Sequence, residues 1–113
     1  MNYEIILTKT FKRDFKSLFK KYRSLLDDLE QFKKDLLQNP EMGDDLGGNT
    51  RKIRMAITSK NKGKSGGARV ITFDVVVGFN NTDIYLITIY DKGGQNTVSQ
   101  KQIEQLKKEN GLI

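Results

Sequence analysis

The sequence predicts an α+β fold in which helices cover one face of an antiparallel sheet. The first observation is a stripe of apolar residues at three- and four-residue steps, which is typical of amphipathic helices. The stripe consists of Phe11, Phe15, Leu18, Phe19, Tyr22, Leu25, Leu29, Phe32 and Leu36. The second observation is that the apolar period changes to two from residue 51 onward, which is typical of β-strands. With 113 residues, no internal repeat and no linker, we expect a single domain over residues 1–113.

The first third of the chain is predicted to be one strand followed by two helices. Residues 3–7 form the strand. The apolar stripe over 11–36 is long for one globular helix, so a break near Arg23 and Ser24 would give two antiparallel helices on the same sheet. Pro40 disfavours the helical conformation in the residue before it, so the second helix ends by Asn39. Residues 42–49 are expected to be a loop.

The remainder is predicted to be a three-strand antiparallel meander and a short C-terminal helix. The strands are expected at residues 51–58, 68–77 and 83–92, joined by a loop at 59–67 and a turn at 78–82. Gly93 and Gly94 end the last strand. A capping box of Ser99 and Gln102 starts the final helix, and Asn110 with Gly111 stops it.

Strict alternation assigns the strand residues to faces. Ile53, Met55 and Ile57 share the helix-covered face, so Lys52 and Arg54 lie together on the face that stays partly open. In the last strand, alternation groups Ile84, Leu86, Thr88, Tyr90 and Lys92 on one side. Alternation also places Arg69 beside apolar residues, so either a twist or bulge redirects this side chain or a carboxylate pairs with it.

Two residue types are missing, and their absence limits the chemistry. The chain has no cysteine and no histidine, which excludes disulfides, thiolate metal sites and a Ser-His-Asp mechanism. Chemistry must therefore use Lys, Arg, Tyr or carboxylates, and we expect no metal and no small-molecule cofactor. No apolar run has the length of a signal peptide or a membrane span, so a soluble cytoplasmic protein without membrane contact is expected.

Basic residues are segregated from acidic ones. The net charge is +6 and the pI is about 9.6. The stretch from 51 to 69 holds no acid, and its cations are Arg51, Lys52, Arg54, Lys60, Lys62, Lys64 and Arg69. A second basic cluster over residues 9–23 includes Lys12 and Lys16, and Asp14 is the only acidic residue in it. A one-sided cationic surface of this kind predicts a polyanionic partner.

The loop between the first two meander strands contains the letters Gly-Lys-Ser of a phosphate-binding P-loop. That motif needs a glycine five residues earlier, where this chain has Thr58, and a helix directly afterwards. Gly66, Gly67 and a β-branched strand follow instead. We therefore predict a connection whose Lys60, Lys62 and Lys64 touch phosphates without chemistry.

Three segments together resemble the RelE superfamily of bacterial toxins, in particular its HigB branch. They are Arg51-Lys52-Ile53-Arg54, the passage from Gly63 to Ile71 with sequence GKSGGARVI, and the run LITIYDK over residues 86–92. The order of elements is similar over essentially the whole chain. The RelE type also carries an arginine beyond the last strand and a tyrosine near the C-terminal helix, where this chain has Gly93-Gly94 and Val98-Ser99.

The resemblance implies a toxin that enters the A site of the 30S subunit in the 70S ribosome and cuts mRNA there. The 2′-hydroxyl attacks the adjacent phosphate, no metal is used, and a cognate antitoxin protein neutralises the toxin. The implied site residues are Lys52, Arg54, Arg69, Tyr90 and Lys92. Lys52 or Lys92 would transfer the proton, Arg54 and Arg69 would stabilise phosphate charge, and Tyr90 would stack on a base or donate a proton. RNA contacts are expected from Arg51, Lys60, Lys62, Lys64, Lys12 and Lys16.

Two alternatives remain open from the sequence. A ParE-like protein of the same fold would act on DNA gyrase and cut no RNA. A non-catalytic RNA-binding protein would use the same basic face and bind ribosomes in a salt-dependent way without chain scission.

Overall fold

A computed structural model describes residues 1–61, 63–93 and 98–113. The described chain contains three α-helices and a five-stranded mixed sheet. The strands are β1 Asn2–Leu7, β2 Asp44–Gly47, β3 Thr50–Met55, β4 Ala68–Gly78 and β5 Asn81–Asp91. The helices are α1 Lys9–Phe19, α2 Leu25–Gln38 and α3 Gln100–Glu109, and a short 3-10 turn spans Thr58–Lys60. Within the described ranges, none of the helices has the length and apolar character needed to span a membrane.

The α+β class is confirmed, but the predicted strand count is wrong. The segment 42–49, expected to be a loop, contains β2, which pairs antiparallel with β3. The hairpin turn between them consists of Gly48 and Asn49, whose φ angles are 58° and 61°. Two positive φ angles in succession are what a tight two-residue hairpin turn requires, and Gly and Asn adopt them readily. This short turn lets the chain reverse and add a strand.

The order of elements also differs from the predicted one, because β2 precedes the three predicted strands and the sheet is mixed rather than antiparallel throughout. Its order is β1-β5-β4-β3-β2, and β1 pairs parallel with β5. The pairing begins with Asn2 opposite Asn81 and ends with Leu7 opposite Leu86. Beyond it, Thr8 continues the contact, because its backbone amide and its hydroxyl both donate to the Leu86 carbonyl, at 3.1 and 2.9 Å.

The break predicted between the first two helices is confirmed, and in the structure it spans residues 20–24. Thr8 caps α1, since its hydroxyl accepts a hydrogen bond from the Phe11 amide at 3.1 Å. α2 ends at Gln38, two residues before Pro40, as the restriction on pre-proline residues requires. Both helices bury apolar side chains against the same side of the sheet, including Phe11 and Leu29.

The expectation that all helices cover one sheet face is wrong. α1 and α2 pack with Ile53, Val70 and Leu86 in one cluster. α3 packs through Ile103 with Ile71 and Ile87, which belong to a second cluster. Since neighbouring residues of a strand point to opposite faces, Val70 and Ile71 place these clusters on opposite sides of the sheet. α3 therefore covers part of the face that was expected to be open.

A β-bulge in β5 explains why strict alternation fails there. Ile71 pairs with Thr88 and Thr72 pairs with Leu86, so Ile87 is the extra residue. The bulge shifts the phase of every later residue in β5. Thr88 and Tyr90 consequently lie on the α3 face, opposite Leu86, with which alternation had grouped them.

Candidate nucleic-acid interface

Strand pairing places three of the predicted catalytic residues in one row across the sheet. Arg54 of β3 pairs with Arg69 of β4, and Arg69 pairs with Tyr90 of β5. Paired residues of adjacent strands lie about 5 Å apart and project to the same face. Lys52 lies two residues from Arg54 on the same face, opposite Ile71. We call Arg54, Arg69 and Tyr90 the cross-strand row.

The cross-strand row is exposed at one end and buried at the other. Arg54 is exposed and Lys52 is half-buried. Arg69 and Tyr90 each retain only 6% of their accessible surface. Lys92, just beyond β5, is exposed. Among the predicted catalytic cations that the structure describes, Lys52, Arg54 and Lys92 therefore remain open to a phosphate.

The guanidinium of Arg69 binds backbone carbonyls, which the sequence did not indicate. It is neither redirected by a bulge nor paired with a carboxylate. Its Nη1 donates to the carbonyls of Lys64 and Ala68 at 3.3 and 3.2 Å, and its Nη2 donates to the Ser65 carbonyl at 3.1 Å. Arg69 thus holds the glycine-containing loop at 63–67 against the start of β4, which is a positioning role rather than phosphate binding.

Gly67 fixes the other side of this loop, because the backbone passes too close for any side chain. A Cβ atom at Gly67 would lie 2.3 Å from the Met55 carbonyl oxygen and 2.9 Å from the Ile57 amide nitrogen. The Gly67 carbonyl also accepts a hydrogen bond from the Lys92 amide at 3.0 Å. Gly67 therefore joins the ends of β3 and β5 beside the cross-strand row.

Lys60 is not the free loop cation that the sequence predicted. Its Nζ donates to Asp91 Oδ1 at 2.7 Å, and its side chain is 12% exposed. The Tyr22 hydroxyl donates to Asp91 Oδ2 at 2.8 Å, and the Gly93 amide donates to Oδ1 at 2.9 Å. Burial acts to raise the pKa of this carboxyl, but the hydrogen bonds and the Lys60 charge outweigh it and hold the pKa below 3.8. The ion pair connects the loop to the end of β5.

A second polar cluster fastens the 3-10 turn to the start of α2. Asp28, in the first turn of α2, accepts hydrogen bonds from the Thr58 amide at 2.9 Å, from the Thr58 hydroxyl and from the Ser24 hydroxyl at 2.8 Å. Ser59 donates from its amide to Ser24 Oγ at 2.9 Å. The start of the connection, from Thr58 to Lys60, is therefore fastened to α2 and to the end of β5.

The other predicted RNA contacts fall into three groups. Lys12, Lys16 and Lys64 are exposed. Lys62 lies outside the described residues. Arg51 projects to the opposite face from Lys52, where its guanidinium donates to the Glu41 carbonyl at 3.0 Å. Burial raises the pKa of nearby Asp74, and the Arg51 charge only partly offsets that rise. Arg51 is therefore separated from the cross-strand row.

Sequence reasoning missed two polar residues at this end of the sheet. Thr88 donates its hydroxyl proton to Asp14 Oδ2 at 2.6 Å, which ties α1 to β5. Arg13 donates to the other oxygen of Asp14 at 3.2 Å. The usable signal was that Asp14 is the sole acid in the basic segment 9–23. Its partner Thr88 could not be found, because the bulge reverses its face.

The charge at this end of the sheet can attract a phosphate. Three exposed or half-buried cations lie around a polar end of the sheet, and no cluster of three metal-ligating side chains occurs among the residues that the structure describes. Cations held near a phosphate stabilise the extra negative charge that develops when an oxygen nucleophile attacks it. No protein-family model matches the chain.

Proposed function

We propose that this chain is a RelE/HigB-like, ribosome-dependent mRNA endonuclease that a cognate antitoxin neutralises in the cytoplasm. The observation that supports the proposal best is the cross-strand row together with Lys52 and Lys92. Strand pairing, turn geometry and the Gly67 contact bring residues from β3, β4 and β5 to one end of the sheet. They are the residues to which the family resemblance assigns RNA cleavage.

The proposed reaction is an internal transfer of the phosphoryl group. A base removes the 2′-hydroxyl proton, a new bond forms between the 2′-oxygen and phosphorus, and the bond from phosphorus to the 5′-oxygen breaks. The leaving 5′-oxygen takes up a proton, so the products are a 2′,3′-cyclic phosphate and a 5′-hydroxyl. Each step requires only proton transfer and charge stabilisation.

The exposed cations divide these tasks. Arg54 is exposed and stabilises the charge on the phosphate, since a guanidinium can donate two parallel hydrogen bonds to phosphate oxygens. Lys52 and Lys92 are the candidates for proton transfer. Arg69 acts through the loop at 63–67, because its Nη atoms are already bound to backbone carbonyls.

The test is a primer-extension map of mRNA incubated with 70S ribosomes, with and without the protein, and with a ribosome-free control. We expect a cut in the A-site codon only when ribosomes and protein are both present. Arg54→Ala should lower the cleavage rate by on the order of a hundredfold, as loss of one charge-stabilising donor does in other enzymes. Lys34→Ala removes another exposed cation, which lies on α2 and outside the cross-strand row, and should cleave like the wild type.

One observation favours a second candidate, passive RNA binding. Arg69 and Tyr90 are buried, so part of the row that the resemblance implies is not freely accessible. A passive binder would sediment with ribosomes at low salt, dissociate as salt rises, and leave the message intact. If the message stays intact and the protein does not bind ribosomes, the ParE-like alternative is tested next, by measuring inhibition of DNA supercoiling by gyrase.

A further inference from the structure

The end of the sheet opposite the cross-strand row exposes a group of apolar side chains. Arg69 lies near the start of β4 and Gly78 at its end, which separates the two ends of the sheet by about 30 Å. We call residues 1–4 and 75–83 the distal end. The exposed apolar side chains there are Met1, Val76, Val77 and Phe79, and Phe79 keeps 92% of its accessible surface. Apolar side chains grouped at one place on a protein surface typically mark a contact with another molecule.

The distal end lies beyond the part of the sheet that α3 covers. Phe73 is the last residue of β4 in the cluster that packs against α3. Beyond it lies an open groove of about 530 Å³, whose lining includes Asn2, Glu4, Val77, Asn81 and Asp83. Met1 is beside this groove, because the Asn2 amide donates to the Asn80 carbonyl at 2.6 Å. The distal end is therefore an unpartnered part of the sheet with an open groove in it.

Two carboxylates face each other in this groove. Glu4 of β1 pairs with Asp83 of β5, so their side chains project to the same face from positions about 5 Å apart. Neither carboxylate forms an ion pair with any residue that the structure describes. Like charges directly opposite each other destabilise a sheet. A cation that a partner places between them would relieve this repulsion.

The charge of the distal end is opposite to that of the whole chain. The net charge is +6, yet residues 70–91 contain Asp74, Asp83 and Asp91 and no lysine or arginine. Such a surface repels a polyanion and complements a polypeptide whose apolar side chains are accompanied by lysine or arginine. A symmetric contact between two copies of this chain would instead bring the same carboxylates together, because both copies use the same patch.

We propose that the distal end is a docking surface for a segment of another protein in which apolar side chains are flanked by lysine or arginine. A basic side chain of that segment lies between Glu4 and Asp83, and its apolar side chains cover Val77 and Phe79. The inference goes beyond the proposed function and does not depend on RNA cleavage. Because the two ends of the sheet are about 30 Å apart, a partner held at the distal end leaves the cross-strand row accessible.

The test uses amide NMR titrations of the whole ¹⁵N-labelled protein with three synthetic peptides of equal length. One alternates lysine and leucine, the second glutamate and leucine, and the third lysine and serine. The lysine-leucine peptide should bind and shift the amide signals of residues 2–4 and 75–83. The lysine-serine peptide should bind at least about tenfold more weakly, because it buries no apolar side chain. The glutamate-leucine peptide should not bind at the distal end, whereas attraction by the net charge of +6 alone predicts that it binds best.

Variants with matched controls locate the binding energy. Phe79→Ser should weaken binding of the lysine-leucine peptide by about tenfold, since an apolar contact is lost. Glu4→Gln combined with Asp83→Asn should also weaken it by about tenfold, as the loss of two exposed ion pairs does. Leu37→Ser and Asp27→Asn remove an exposed leucine and an exposed carboxylate from α2, and both should bind like the wild type. The Phe79 side chain is almost fully exposed, so its replacement should leave the fold intact.

Several outcomes would overturn the proposal. They are equal affinities for the lysine-leucine and glutamate-leucine peptides, signal shifts only around the cross-strand row, and α2 controls that weaken binding as much as Phe79→Ser. Sedimentation velocity tests the remaining occupant: if the wild type self-associates and Phe79→Ser is a monomer, the surface binds a second copy and the proposal is wrong.

The peptide titration contains neither ribosomes nor RNA, so its failure is distinguishable from that of the proposed function. If mRNA stays intact and the lysine-leucine peptide binds at the distal end, only the nuclease proposal fails. If mRNA is cut and the peptide does not bind, only the docking proposal fails.

Discussion

Replacing Gly67 by alanine is expected to disturb both stability and the candidate site. The added Cβ would lie 2.3 Å from the Met55 carbonyl oxygen, and its other close neighbours, at Ile57 and Ala56, are also backbone atoms. Backbone cannot move aside as a flexible side chain can, so the cost lies near the upper end of the 1–3 kcal/mol typical of overpacking. Loss of chain entropy in the unfolded state recovers about 0.4–1 kcal/mol. The expected net loss is about 2 kcal/mol.

Thermal and urea unfolding measure this loss directly. At about 4 °C per kcal/mol for a domain of this size, the Gly67→Ala variant should melt about 8 °C below the wild type. Gly78→Ala is the matched control, because the nearest atom to its added Cβ is a side-chain nitrogen of Asn81 at 3.6 Å. That control should melt within a degree or two of the wild type. Equal melting temperatures for Gly67→Ala and Gly78→Ala would refute the argument from backbone contact.

Three further predictions follow from the contacts around the site. Arg69→Ala removes a buried cation with three carbonyl acceptors and should cost about 2–3 kcal/mol in urea unfolding, while an unchanged midpoint would contradict the loop-holding role. Asp91 has a lowered pKa in the folded protein, so its stabilising contribution is present above 3.8 and is lost as the pH falls below it. Asp91→Asn should therefore be less stable at pH 7 and lose less stability on acidification from pH 5 to pH 2. The pKa of Asp74 is raised, so the charged form of this carboxyl destabilises the folded protein at pH 7. Asp74→Asn should therefore be at least as stable as the wild type at pH 7. A loss of stability in this variant would count against burial as the cause of the raised pKa.

The sequence predicted the parts of the fold that depend on local periodicity. Alternation over 51–58 correctly placed Lys52 and Arg54 on one face, because β3 is regular and its register with β4 is uninterrupted. The capping box at Ser99 is present, with the Ser99 hydroxyl accepting from the Gln102 amide at 3.1 Å. Such features involve residues a few positions apart, so they can be predicted from the sequence without knowledge of the tertiary structure.

The errors arise where the structure depends on distant partners. The β-bulge at Ile87 moves both Thr88 and Tyr90 to the face opposite the one that alternation predicts. No residue in this run of β-branched residues signals a bulge in the sequence. The ion pair of Lys60 could not be foreseen, because its partner Asp91 lies 31 residues later in the chain. β2 is different, since Gly48 and Asn49 form a recognised hairpin signal that was interpreted as a loop. The pairing of Arg54, Arg69 and Tyr90 across three strands is therefore present, while the burial of Arg69 and Tyr90 was not foreseen from the sequence.

The parallel pairing of β1 with β5 has a consequence for how the protein is made. Residues 79 positions apart must meet before this part of the sheet exists, as in the pair of Asn2 and Asn81. Chains with such distant pairings fold slowly, because a large loop must close before its contacts form. During synthesis, β1 emerges before β5 and its pairing with β5 cannot form until β5 follows. The cross-strand row, which needs Tyr90, is therefore assembled only after β5 has been translated.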